Sequence, residues 1–289
     1  MRRAPGSGRD GENHQQTMTM HRPFRSPSRW TWLAPALAAA FIAACDDSLQ
    51  GVSRQDTWGF VLVSTQKSGT GAHFAVAEGL FFKGNLSSVP NADFTGDTCA
   101  DGFFSEGNNL GGVTYLDAGL SVEAILSGTT NELERTSTSE GLSYLLPTET
   151  TPFNPGDSIF VTVPGASGGF PAATIRAKTA EPFTFPTIDP PGGTETILLN
   201  WTAPDDARSA IIVSLRYQAP GTSTFNRHVL CTFQDDGLDS IPFRWHENWT
   251  TSAGERVVVA TRLRTHYVAA GAANLGVIST YQVPTPPHP

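Results

Sequence analysis

Apolar residues recur at every second position along most of this chain. Trp58, Phe60 and Leu62 alternate with small or polar neighbours, as do Leu120, Val122, Ala124 and Leu126, and then Ile159, Val161 and Val163. A period of two places such side chains on one face of a strand. The stretches between them, KSGTG, SEGNNLGG, SGTTNE and FNPGD, are rich in the residues that turn a backbone. The pattern predicts an antiparallel β domain over residues 57–186, in which Glu132 to Leu145 also admits a helical turn. From Thr187, the stretch TIDPPGGTE sets two prolines and two glycines against both strand and helix, so residues 187–194 are expected to be a linker. Alternation resumes at Ile197, Leu199 and Trp201 and continues through Ile211, Val213, Leu215 and Tyr217, then Val229, Cys231 and Phe233. Val257, Val259, Leu263, Tyr267, Leu275, Val277 and Tyr281 complete a second β domain, residues 195–284, expected to fold alone. The polyproline-type tail over 285–289 is excluded from it. The predicted class is therefore all-β, with two antiparallel β-sandwich-like domains in tandem.

The second domain, with short closely spaced strands and the embedded segment LLNWTAP, resembles an immunoglobulin-like or fibronectin-III-like sandwich. That resemblance is architectural and implies no activity.

The first 56 residues follow another logic. Arg22, Arg25 and Arg29 precede an apolar run from Thr31 to Ala44, which is shorter than the roughly 20 residues a spanning helix needs. A basic region, an apolar region and a small-residue end make a secretory signal. Met20 is a more natural start for it than Met1. The segment FIAACDDS closes the run, and Ile42-Ala43-Ala44-Cys45 resembles the lipobox of bacterial lipoproteins. The resemblance implies removal of residues 1–44, a diacylglyceryl group on the Cys45 thiol, and acylation of the new amino terminus. Two or more acyl chains hold a protein to a membrane stably. The protein is then expected to be exported and lipid-anchored to a bacterial membrane, facing the periplasm or the exterior, with residues 45–56 as a tether. The competing reading is an ordinary secretory signal with a cysteine beside the cut by chance.

Loss of the leader sharpens the charge. The chain has 19 Lys and Arg against 27 Asp and Glu, and residues 1–44 contain six arginines and two acids, so the mature part has a net charge of −12. An acidic surface opposes phosphate backbones, which disfavours a nucleic-acid partner.

Candidate chemistry is sparse. Cys231 shares a strand face with Val229 and Phe233, while Cys99 lies in the turn-rich segment GDTCADG. Two separate thiols are expected, because a Cys99–Cys231 bond would need an edge of one domain against the core of the other. NADFTGD, Asn91 to Asp97, followed by Asp101, spaces oxygen side chains as a calcium loop does. The position of the bidentate glutamate is Gly102 instead, so an acidic turn is the reading and no metal is assigned. QDDGLD, from Gln234, has the Asp-Gly of a hairpin.

TGAHF, YLDAG and GASGG resemble, loosely, the His, Asp and Ser motifs of chymotrypsin-like serine proteases. The resemblance implies His73 as base, Asp117 as its orienter, Ser167 as nucleophile and the Gly165 amide as an oxyanion donor. Ala166 and the short Asp117-to-Ser167 interval depart from that pattern, and a glycine turn between two strands explains the segment equally well. FRWHENW, from Phe243, presents Trp245 and Trp249 either as a glycan-stacking pair or as plugs at the end of a core. No cofactor and no catalytic activity are expected. A binding or structural role in the cell envelope, with a protein or glycan partner, is the expectation.

Overall fold

The computed structural model describes residues 56–67, 71–84, 97–103, 112–138, 141–147, 151–205, 208–222 and 224–284. Within them the all-β class holds, with one short helix. No helix among these residues is long and apolar enough to cross a membrane.

Two long hairpins make the middle of the fold. Strands β1 (Thr57–Lys67) and β2 (His73–Lys83) pair antiparallel from Thr57↔Lys83 to Lys67↔His73. Near the other end of the chain, β15 (Arg256–Ala270) and β16 (Ala273–Pro284) pair likewise. β1 lies parallel to β16, with Trp58 beside Asn274 and Thr65 beside Tyr281, so strands from opposite ends of the chain are neighbours.

Beyond β2 the sheet continues through β7 (Gly141–Leu145), β6 (Thr129–Thr138), β5 (Ser121–Leu126), β9 (Ser158–Val163) and β10 (Ala173–Lys178). The short strands β4 (Thr114–Tyr115) and β8 (Thr151–Pro152) also pair with β2. Beyond β15 it continues through β12 (Ser209–Tyr217), β13 (Arg227–Gln234) and β3 (Thr98–Phe103). The result is one 14-stranded sheet, accompanied by a two-stranded sheet of β11 (Ile197–Asn200) and β14 (Leu238–Ile241). Helix α1 (Phe243–Thr251) follows β14.

Alternation decides which core each side chain enters. On β1, Val61 and Val63 join a first apolar cluster with Phe81, Val122, Leu133 and Ile159. Phe60 and Leu62, pointing the other way, join Leu80, Phe82, Ile212, Leu263, Tyr267 and Ile278 in a separate cluster. This two-sided burial explains the near-continuous apolar run of the strand. The β15–β16 hairpin is divided along its length as well. Val268, Ala270, Ala273, Leu275 and Val277, near its turn, face the first cluster. Val258, Ala260, Tyr281 and Val283, near its open end, face a further cluster built on β12, β13, β11 and α1. All of these positions lie on one face by period two, whereas Leu263, Tyr267 and Ile278 lie on the other.

Glycines make room where aromatic rings cross the sheet. Gly276 stands in register beside both Phe60 and Tyr267, and a Cβ there would come within 2.5 Å of the Tyr267 ring. On the opposite face, a Cβ on Gly59 would meet Phe81 at 2.7 Å and Phe170 at 2.8 Å.

Several expectations are corrected. Two tandem domains are not confirmed, since one sheet runs through both halves, with β1 paired to β16 and β3 added beyond β13. Cluster membership changes between Ala177 and Ala180, ahead of residues 187–194. Those residues carry no strand, but Ile188 is buried in the β12–β13 cluster. Glu132 to Leu145 is strand in β6 and β7, without a helical turn among the described positions. The Asp-Gly at 236–237 is not a hairpin: β13 pairs with β12 and β3, whereas β14 pairs with β11. Gly237, at φ +104°, turns the chain from one sheet into the other.

These pairings lead to a different prediction for an isolated second half. A fragment covering residues 194–284 would lose β1, β3 and the buried Ala180, Phe183 and Ile188. It should show no cooperative thermal transition by circular dichroism, while the chain nicked near Gly192 should still elute as one body after its disulfide is reduced. A fragment that melts cooperatively would restore an independent second domain.

Candidate functional site

α1 places the two candidate tryptophans differently. Phe243, His246 and Trp249 recur at a spacing of three, which brings them to one side of the helix. Trp249 and His246 are fully buried, and Trp245 is half-buried against the same cluster. The Phe243 and His246 rings meet edge to face at 5.4 Å, and the Arg244 guanidinium lies over the Trp245 ring. The tryptophans do not form an exposed row, because Trp249 serves as a plug for the core. The F-x-x-H-x-x-W spacing was the signal for this helix.

The three residues of the protease-like reading each have other partners. The His73 imidazole hydrogen-bonds the Tyr281 hydroxyl at 3.2 Å. The Asp117 carboxylate accepts from the Gly119 amide at 2.9 Å and the Tyr144 hydroxyl at 3.0 Å, and it pairs with Arg135. These contacts, the Gly119 amide first, lower the Asp117 pKa against the opposing effect of burial. Ser167 is exposed in a glycine turn. That turn is closed by amide bonds from Gly169 to Ala166 and from Ala166 to Phe170, and Phe170 in turn donates to the Asp117 carbonyl. The Gly165 amide is committed to the Ala118 carbonyl at 3.0 Å. Asp117 is thus tied to the turn through its backbone, while its carboxylate serves Tyr144 and Arg135.

Cys99 and Cys231 stand opposite each other on β3 and β13 and form a disulfide, with Cα atoms 4.0 Å apart. The expectation of two separate thiols is corrected: the strand order delivers the edge-against-core contact that the bond requires. Residues 91–96 of the acidic turn, and Cys45, lie outside the described residues. Asp97 accepts a hydrogen bond from the Gln234 amide at 3.1 Å. Asp239 has its pKa raised, first by burial and then by Asp97 and Asp236 beside it. Among the described residues no group of three or more His, Cys, Asp or Glu side chains is placed to hold a metal ion.

The alternation pattern gave no hint of a buried and heavily bonded arginine. Arg262 is 1% exposed. Its Nε and Nη2 grip the two Asp235 oxygens at 2.6 and 2.9 Å. The other donors reach the Thr202 carbonyl and those of Glu181 and Pro182, so all five N–H groups are used. Asp235 also accepts from the Trp201 indole at 2.8 Å and the Ser209 hydroxyl at 2.6 Å. The guanidinium lies 4.9 Å from the Phe183 ring centroid. The arrangement clamps two coil segments to the sheet. Every polar group in it is committed, which makes it structural.

The four described histidines share one electrostatic tendency. Burial lowers the pKa of His246, whose Nδ1 bonds the Thr250 hydroxyl at 2.8 Å. It does the same for His73, aided by Lys67, and for His266, aided by Arg208 and Arg264. For His228, burial and Arg216 outweigh the opposing Asp101.

No protein-family model matches the chain, and no curated protein matches it.

Two outcomes follow from this chemistry. Arg262→Met would leave the Asp235 carboxylate buried without its ion partner, which should cost about 3–5 kcal/mol in urea denaturation. Asp235→Asn, which keeps an acceptor for Trp201, should cost less than Asp235→Ala. The second outcome concerns acid. Histidines whose folded pKa lies below the ordinary value of about 6.5 contribute stability that is present above that value and lost as pH falls through it. The urea midpoint should therefore drop between pH 7.5 and pH 5.5, and His246→Gln should flatten the slope. A midpoint independent of pH over that range would contradict the assignment.

Proposed function

We propose that the mature chain is an exported lipoprotein, held to a bacterial membrane through Cys45, whose β-rich body serves as a non-enzymatic binding or structural component of the cell envelope. The observation that carries this reading is the sequence order of a basic region, an apolar run and Ile42-Ala43-Ala44-Cys45. The disulfide supports it. A bond between Cys99 and Cys231 suits an oxidising compartment, and it uses two of the three cysteines, leaving Cys45 outside it. The non-enzymatic part is supported by the separate engagements of His73 with Tyr281, of Asp117 with Tyr144 and Arg135, and of the Gly165 amide with Ala118.

The test is metabolic labelling with an alkyne fatty acid in a bacterial host, followed by membrane fractionation. The wild-type chain should carry the label and sediment with membranes. Cys45→Ser should lose the label and appear in the soluble fraction, either cleaved elsewhere or retained as the precursor. Membrane retention of an unlabelled wild type would defeat the reading.

A further inference from the structure

β3 is joined to the sheet through one neighbour among the described strands, β13, over the six pairs from Thr98↔Thr232 to Phe103↔Arg227. Among its described side chains little is buried: Thr98, Ala100 and Asp101 are exposed, and Cys99 packs against the β12–β13 cluster. Its described side-chain ties include the contact of Asp101 with the Tyr217 hydroxyl, and just before it the exposed Asp97 accepts a bond from the Gln234 amide. β13 is held quite differently. Val229, Cys231 and Phe233 are buried, and the strand pairs with β12 from Tyr217↔Arg227 to Ala210↔Gln234. The disulfide therefore fixes a strand whose described side chains have little apolar grip onto one that is secure without it. Because the bond spans 132 residues of chain, it also removes most of the freedom β3 would have on detaching.

We propose that Cys99–Cys231 is a redox-released clasp. Opening it with a dithiol reductant lets β3 leave while the remaining sheet stays folded, and this uncovers the outer edge of β13. Such an edge is a row of backbone donors and acceptors of the kind that takes up an extended strand. The chemistry is ordinary thiol–disulfide exchange. A reductant thiolate attacks the Cys99 sulfur, the less buried of the pair. The S–S bond breaks, and the Cys231 sulfur leaves as a thiolate and takes a proton. The second thiol of the reductant then attacks its own sulfur in the mixed disulfide, freeing the Cys99 thiol and leaving the reductant as a cyclic disulfide.

Hydrogen exchange read by mass spectrometry on the mature chain, with and without dithiothreitol and with free thiols trapped by iodoacetamide, tests this directly. On reduction, peptides covering 98–103 and 227–233 should exchange faster by an order of magnitude or more, while those covering β15 and β16 keep their protection. The Cys99→Ala/Cys231→Ala variant should show the same pattern without reductant. Three results would each overturn the proposal. Trapping of both thiols with no change over 227–233 would mean that hydrogen bonds alone hold β3. Loss of protection across β15 and β16 would mean that the bond is integral to the whole fold. Resistance to reduction in native buffer would mean that the bond is no switch.

Discussion

The β15–β16 hairpin carries apolar residues on both faces over much of its length, and the remaining architecture answers the requirement that they be covered. Along one face it presents Val268, Ala270, Leu275 and Val277 to one core and Val258, Ala260 and Tyr281 to another. Along the other it presents Leu263, Tyr267 and Ile278. No contiguous stretch of the chain supplies all three covers. β1 must come from the amino-terminal side to pair with β16, and β12 from the carboxy-terminal side to pair with β15. Contacts between such distant segments carry the loop-closure cost that slows folding. The sheet is completed only when β16, the last strand, is in place.

The Arg262–Asp235 clamp addresses a different difficulty. Residues 182–196 contain no strand, yet Phe183 and Ile188 must sit in the β12–β13 core. Apolar contact is non-directional and would tolerate sliding of such a segment. The guanidinium is directional. Its bonds to the carbonyls of Glu181, Pro182 and Thr202 fix the coil at two points, and the bidentate contact with Asp235 fixes the arginine itself. A buried ion pair is a costly way to gain stability. It is a good way to set position.

Many of the strands were legible in the sequence, though not β3, whose segment GDTCADG reads as a turn, and their order was not legible. Alternation at Ile211, Val213 and Leu215, or at Val122, Ala124 and Leu126, identifies an inward face, and these residues are fully buried. It does not name the neighbouring strand, which is why β1 and the segment around Cys99 were placed in a first domain and a Cys99–Cys231 bond was disfavoured. Arg262 was illegible for a related reason. It lies on the same face as Val258 and Ala260, but a charged residue reads as outward until Asp235, Trp201 and Ser209 are known to converge on it. At the candidate sites, motif spacing brought His73, Asp117 and Ser167 into one hypothesis, and the local bonding assigns each to a different neighbour. Helical spacing at Phe243, His246 and Trp249 was present but short, and the tryptophans drew attention as a surface pair.

Strand direction bears on how an anchored chain would stand. β1 begins where β2 ends at Lys83 and where β15 turns into β16, since Thr57 pairs with Lys83 and Trp58 with Asn274. The sequence between Cys45 and Thr57 spans at most about 40 Å when fully extended. Under the proposed attachment, that end of the sheet is held within this distance of the bilayer. The opposite end of β15, at Arg256, directly follows α1 and lies roughly 45 Å further along at the usual rise per strand residue. Near it are the helix and the β11–β14 pair, whose outer face exposes Leu198 and Leu238. The clamp and the disulfide both lie in this second part of the fold, where coil and a weakly buried strand would otherwise be loosely held. A lipid anchor constrains only the end it is attached to, so rigidity at the far end has to be supplied by bonds within the fold itself.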